Sequence, residues 1–320
     1  MRVAVFQTNP VLLDVKANVE GVVEKIRRGK EKGAALMVFP ELALTGYFVD
    51  SSYHKAALKM NSPEIMKIVE ATKGTAAIVG FIEESKSMNF YNAALVAVDG
   101  EARFAYRKLN LPNYGVFEER KFFSNGKQVT VFKLNEFNIG VFICNDMWHP
   151  SIPYLGVTQK ADIFVTLFNS SQGSMASEFS NIESWEIINK FYSRVFGIYN
   201  IAANRVGSEA LEDRRDDDED ESGREPADNH SEDDTVFHEN YDHRHDRKYY
   251  RFWGGSEIIN PFGQQIYRAA LYEEDEIIGD ISKDLLRKKK IILPYLRNDD
   301  PFFTFRELDR ILFQKDGVKT

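Results

Sequence analysis

A chain of 320 residues with 43% hydrophobic content can fill the core of one large α/β domain or two small ones, which excludes a wholly disordered or fibrous protein. Its single cysteine excludes an intramolecular disulfide and fits a reducing cytoplasm; the opening MRVAVFQTNP lacks a secretion signal's apolar core, and no apolar run is long enough to cross a bilayer. The net charge of −8 is uneven: residues 209–234 hold fourteen Asp or Glu against three Arg, a net of −11, so the remainder sits at +3 with no basic stripe for nucleic acid.

In chain order, residues 3–7 (VAVFQ) read as a buried strand. Asn18 is the expected cap of a helix whose apolar face is Val19, Val22, Val23 and Ile26. A strand over 34–39 ends at Pro40-Glu41, and Ser62-Pro63-Glu64 opens a helix with Ile65, Ile68 and Val69 facing inward. A strand follows at 76–82, and Asp99-Gly100 turns a hairpin between strands 91–98 and 101–107, which ends at Lys108. Strands 129–134 and 137–143 deliver Cys144, with a helix from about Ser151. Strand 162–168, a helix over 180–196 and strand 198–203 come next, and strands at 256–260, 264–270 and 276–281 precede a basic helix at 282–290. Strands alternate with helices while several pair as hairpins, so the expectation is an α/β fold of mixed sheets covered by helices, in one domain spanning 1–320.

Glu41, Lys108 and Cys144 each stand just past the C-terminal end of an apolar strand. In layered α/β folds that rim is where ligands bind. Cys144 alone reads as readily as an inert core residue. With a carboxylate and an ammonium beside it, an acyl-transfer site results. Glu41 takes the thiol proton and later returns it to a leaving amine, while Lys108 holds the oxyanion.

The blocks Phe39-Pro40-Glu41-Leu42 with Thr45-Gly46-Tyr47, Arg107-Lys108-Leu109-Asn110-Leu111-Pro112, and Ile143-Cys144-Asn145-Asp146-Met147-Trp148 resemble the signature blocks of the carbon–nitrogen hydrolase (nitrilase) superfamily. Asn204-Arg205-Val206-Gly207 and Phe252-Trp253-Gly254-Gly255-Ser256 resemble its later blocks. The resemblance implies a Glu–Lys–Cys triad at Glu41, Lys108 and Cys144, and a four-layer αββα sandwich of two mixed β-sheets. It also implies pairing of two subunits, giving a homodimer or higher homo-oligomer, and chemistry without metal or organic cofactor. The loop Asn113–Arg120 is similar to the branch that includes the glutaminase domain of NAD synthetase. A second glutamate is implied there; Glu119 fits best and Glu118 remains open.

The sequence departs from that branch in two places. Asn145 stands where many relatives carry an acid that binds the α-amino group of glutamine, and the loop from Asn169 through Ser171 to Ser174 has no cation for an α-carboxylate. A buried carboxylate without a partner is costly, so a less charged small amide is the expected substrate. Tyr114, Asn145, Trp148, Phe168, Asn169 and Ser171 are the expected substrate-binding residues, with Asp146 stabilising the turn. The competing readings are a glutaminase subunit supplying ammonia to a synthetase, a nitrile or N-carbamoyl hydrolase, and an inactive relative acting as a binding module. Residues 208–248 read as a mobile acidic insertion in which His238, His243 and His245 are too irregularly spaced for a metal site. The apolar tail at 294–320, with Phe302, Phe303 and Phe305, is expected to pack on a partner subunit.

Overall fold

A computed structural model describes residues 1–172, 180–212, 241–242 and 247–313. The bulk of the acidic insertion, including His238, His243 and His245, and residues 314–320 of the tail lie outside the described residues.

The first sheet takes its strands from the N-terminal half plus one late return. These are β1 (Arg2–Gln7), β2 (Leu36–Val38), β3 (Ala76–Glu84), β4 (Phe90–Val98), β5 (Glu101–Arg107) and β15 (Asp275–Asp280), in the order β15-β1-β2-β3-β4-β5. β1, β2 and β3 run parallel, and β4, β5 and β15 join antiparallel to their neighbours. The second sheet contains β6 (Val131–Leu134), β7 (Phe137–Ile143), β8 (Ile163–Phe168), β9 (Tyr199–Asn204), β13 (Glu257–Ile259) and β14 (Gln265–Arg268), ordered β14-β13-β9-β8-β7-β6. Both sheets are mixed, as the hairpins required.

Period-two alternation decides the layering. Val3 and Val5 of β1, Leu36 and Val38 of β2, and Ile78 of β3 meet Ile139, Val141 and Ile143 of β7 and Val165 of β8 between the sheets. The intervening Ala4, Phe6 and Met37 face the other way, onto Val19, Val22 and Ile26 of α1 (Val15–Glu31) and onto Ile65 and Ile68 of α3 (Pro63–Ala71). Between α1 and α3 lies the short α2 (Tyr53–Ala56), and the one-turn α4 (Glu119–Phe122) follows β5. On the far side, Phe142 and Phe164 pack against α5 (Ser151–Thr158) and α6 (Asn181–Phe196). The result is the αββα sandwich. Helix α1 starts earlier than expected: Asp14 is the cap, accepting from the Ala17 N–H. Asn18 is buried instead, and its amide donates to the Val11 and Leu44 carbonyls, at 2.8 and 3.1 Å, pinning the segment after Glu41.

The described ends of the stretch 208–248, expected as an insertion, are strands. β10 (Val206–Glu212) and β12 (Arg247–Trp253) pair antiparallel, with β11 (Tyr241–Asp242) beside β12. Phe252 and Trp253 are buried. At the C-terminus, α7 (Lys283–Ile292) is followed by α8 (Tyr295–Asn298) and α9 (Pro301–Phe313), whose Phe302, Phe303, Phe305, Leu308 and Phe313 are exposed. Among the described residues, no helix is long and apolar enough to cross a membrane.

Beneath α6 lies a buried polar network away from the rim. Thr166 donates to Asn200, Asn200 to Asn189, and Asn189 to Glu257 Oε1 at 2.9 Å, while Glu257 Oε2 has no partner among the described residues. Burial pushes the Glu257 carboxyl up to about 7, opposed by the Asn189 amide. A carboxyl raised from 4.5 is fully tolerated below pH 4.5 and costs stability as pH rises to 7, by roughly 3 kcal/mol at completion. Glu257→Gln, which mimics the protonated acid, is expected to raise the melting temperature by ~5 °C at pH 8.5. Melts from pH 5 to pH 9 check this, and the gain should grow up to pH 7 and then stay flat.

Candidate active site

The rim where β2, β5 and β7 end collects the three expected groups. Glu41 follows β2 on a turn that passes directly over β3. A Cβ on Gly80 of β3 would lie 2.3 Å from the Pro40 carbonyl oxygen and 2.7 Å from the Glu41 carbonyl carbon, so only glycine permits that crossing. Lys108 is the residue after β5, and its N–H is bonded to the Asn92 carbonyl of β4. Cys144 opens a single 3-10 turn, Cys144–Trp148, with φ of +42°, a left-handed conformation that turns the side chain out of the line of β7.

Glu41 and Lys108 are both 0% exposed, and Lys108 Nζ donates to Glu41 Oε1 at 2.8 Å and to Glu119 Oε1 at 2.7 Å. Of the two adjacent glutamates, Glu119 therefore reaches the site, whereas Glu118 is exposed and pairs with Lys121. Asn92 bridges the two acids, its Nδ2 lying 2.7 Å from Glu41 Oε1 and 3.4 Å from Glu119 Oε2. Tyr47 adds a 2.7 Å bond from its hydroxyl to Glu119 Oε1. With Oε1 of Glu41 occupied twice, its Oε2 is buried with no hydrogen-bond partner among the described residues.

The electrostatics follow from this packing. Burial pulls the Lys108 ammonium down, but Glu119 and Glu41 outweigh it and hold the group well above the usual lysine range. Burial pushes the Cys144 thiol well up, and Glu41 adds to that; Lys108 and the Asn169 backbone N–H oppose it. The resting sulfur is therefore a thiol at neutral pH, and a nucleophile made from it requires a base. Asp146 anchors the elbow. Its Oδ1 accepts the N–H groups of Leu109 and Asn110 at 3.0 and 2.9 Å, and its Oδ2 accepts the Tyr106 hydroxyl and the Ile143 N–H at 2.8 and 3.1 Å. Burial pushes this carboxyl up to about 6 against the pull of those donors.

Cys144 opens into a cavity of about 160 Å³ whose wall includes Pro112, Tyr114, Phe117, Trp148 and Trp185, with Asn145, Asn169, Ser170 and Asn181 as its other polar residues. Tyr114 donates to Asn145 Oδ1 at 3.1 Å. Both side-chain polar atoms of Asn169 are buried without a hydrogen-bond partner among the described residues. Two of the expected binding residues sit elsewhere. Phe168 is fully buried behind the wall, stacked on Trp185 at 4.3 Å, because the end of β8 turns it to the helix side. Ser171 is buried beyond the wall, where its carbonyl accepts from Asn181.

Sequence reasoning missed Asn92, Asn181 and Trp185, and assigned no role to Tyr47. Asn92 had a signal: one amide inside an otherwise apolar strand, which burial makes costly unless it is bonded.

Residues 2–290 match the family model described as Carbon-nitrogen hydrolase. The chain is 39% identical over 309 residues to a glutamine-dependent NAD(+) synthetase of Thermotoga maritima, covering 93% of this chain and 45% of that protein. It thus spans about half the length of that relative. It is 23% identical over 313 residues to an N-carbamoylputrescine amidase of Solanum tuberosum, covering 95% of this chain and 92% of that one. The fold matches a carbon-nitrogen hydrolase structure from Helicobacter pylori G27 with a TM-score of 0.73 at 19% identity, over 97% of this chain and 99% of that chain. The chain with Glu41, Lys108 and Cys144 at its rim belongs to the carbon–nitrogen hydrolase family.

Proposed function

We propose that the protein hydrolyses a small, uncharged carboxamide through a thioester on Cys144. The observation that carries this reading is the buried Glu41–Lys108–Glu119 cluster, with one free Glu41 oxygen, acting on a raised thiol. Glu41 accepts the Cys144 proton as sulfur attacks the amide carbon. Lys108, kept cationic by two carboxylates, stabilises the oxyanion. Glu41 returns the proton to the nitrogen, ammonia departs, and a thioester remains. Glu41 then takes a proton from water, which attacks the thioester to release the acid and the thiol. Glu119 acts through Lys108, holding the ammonium in place with help from Tyr47.

Substrate class follows from the wall. The described residues lining the cavity include no Lys, Arg, Asp or Glu, so a carboxylate seated there has no partner among them. Tyr114 and Trp148 suit an apolar acyl part, and the unpartnered amide of Asn169 offers one donor and one acceptor to a polar substituent. The identity to a glutamine-dependent synthetase favours a second reading, a glutaminase that passes ammonia to a synthetase. The exposed apolar side chains of α9 support a homodimer or higher homo-oligomer formed through this end of the chain.

Three outcomes are expected. In an ammonia-release assay over simple neutral amides, N-carbamoyl amines, nitriles and glutamine, neutral amides should exceed glutamine in kcat/KM by at least about a hundredfold, the ratio for a penalty of ~2.7 kcal/mol. Preference for glutamine establishes the second reading instead. Cys144→Ala should abolish turnover without unfolding, whereas a binding module would keep its function. In Glu41→Gln, loss of the carboxylate should shift the inflection of Cys144 alkylation to lower pH while turnover falls by at least about a thousandfold. An unchanged inflection together with retained turnover removes Glu41 as the base.

A further inference from the structure

Glu209 is the first acid of the charge-rich segment, yet it is 4% exposed. It sits on β10 and is ion-paired with Arg205, which is itself fully buried with its guanidinium 4.2 Å from the centroid of the Phe252 ring. Arg205 also donates to the Val206 and Pro10 carbonyls, at 3.1 and 3.3 Å, and to Asn9 Oδ1 at 3.5 Å. A buried ion pair of this kind contributes little to stability against an apolar substitute, so its presence calls for another reason.

The Glu209 carboxylate reaches past its partner into the turn after Glu41. Its Oε2 accepts the N–H groups of Tyr47 and Phe48, each at 2.9 Å. The approach is close enough that a Cβ on Gly46 would lie 2.6 Å from Glu209 Oε1, and Gly46 has φ of +78°. The turn is thereby fixed at two successive peptides, and the Tyr47 ring that leaves it is directed at Glu119, 2.7 Å from the hydroxyl. Glu119 in turn holds Lys108. An unbroken chain of contacts therefore runs from Arg205 through Glu209, the Tyr47 backbone and the Tyr47 hydroxyl to the ammonium beside Cys144.

We propose that Glu209 is a positioning residue for the Glu119–Lys108 pair, acting through the Tyr47 turn. This rests on the reading of Cys144 as the nucleophile. The strand ribbon carrying the acidic segment is thus a support of the catalytic cluster, and its first acid is buried. Glu209 touches no reacting atom. It sets where the Tyr47 hydroxyl sits, and so how firmly Lys108 is held.

The test is a double-mutant cycle on the full chain, with Tyr47→Phe, Glu209→Gln and the two combined. It is read by the second-order rate of iodoacetamide alkylation of the single cysteine from pH 6 to pH 10, with thermal melts alongside. Alkylation needs no substrate to be known, so absence of hydrolysis on every amide would count against the proposed function and leave this readout intact. Each single change is expected to slow alkylation at pH 7.5 by roughly tenfold, and the double change no further than the slower single. The melting temperature should nonetheless fall further in the double than in Tyr47→Phe. If the two losses multiply to roughly a hundredfold, or if Glu209→Gln leaves the pH–rate curve unchanged, the proposal is overturned. Should Glu209→Gln fail to fold, Arg205→Met/Glu209→Gln takes its place in the cycle, because it leaves no uncompensated buried charge.

Discussion

The arrangement depends on one electrostatic constraint: an ammonium and two carboxylates held together where water does not reach. Lys108 and Glu41 are completely buried and Glu119 nearly so. Removing any of these ions from water costs several kcal/mol, and mutual attraction offsets that only when geometry and extra hydrogen bonds are good. Asn92 and Tyr47 supply those bonds. Burial pushes the thiol of Cys144 up, and the excess negative charge of the cluster adds to it, so the sulfur is not ionised at rest. A sulfur kept as a thiol is slow to oxidise or alkylate. In the proposed mechanism, the packing of the cluster and the activation of the sulfur thus draw on the same three charges.

The sandwich supplies the positions. β2 and β5 run in the same direction, so the residues following them emerge at one rim, and β7 of the opposite sheet ends beside them. Local devices then refine the placement. The missing side chain of Gly80 lets the Glu41 turn lie against β3, and the left-handed φ of Cys144 lifts the sulfur away from the β7 axis. Neither device is favourable by itself. Each persists because the surrounding core, filled by alternate residues of the two sheets, leaves the backbone no other path.

Much of this was legible in the residues. Apolar strands ending just before Glu41, Lys108 and Cys144 put all three at strand ends, and Asp99-Gly100 announced the hairpin that makes the first sheet mixed. The resemblance put Glu119 ahead of Glu118 without excluding the latter, since adjacent residues in a loop share most cues and differ in which side of a one-turn helix faces Lys108. Phe168 was misplaced because a strand-end aromatic can face either layer, and it is Trp185 of α6 that draws it away from the cavity. Glu209 was hidden by its neighbours: fourteen acids within 209–234 read as one solvated run, and composition cannot single out the member with a buried arginine four residues before it. Asp14 took the helix cap from Asn18 because both are good caps, and burial of the second decided the matter.

The two halves of the site lie on different sheets, so something must hold them in register across the sandwich. Asp146 does this. Its carboxylate accepts a donor from its own elbow at Ile143 and three from the other sheet's side: the Tyr106 hydroxyl of β5 and the N–H groups of the two residues after Lys108. One buried acid therefore ties the chain just past the ammonium to the turn that carries the sulfur. Apolar packing between sheets resists separation but is weakly directional, and sliding by a fraction of an ångström costs it little. Four hydrogen bonds converging on one carboxylate are directional, and a lateral shift would strain them together. The hydrophobic core brings the sheets into contact, and this staple sets the distance between Lys108 and Cys144.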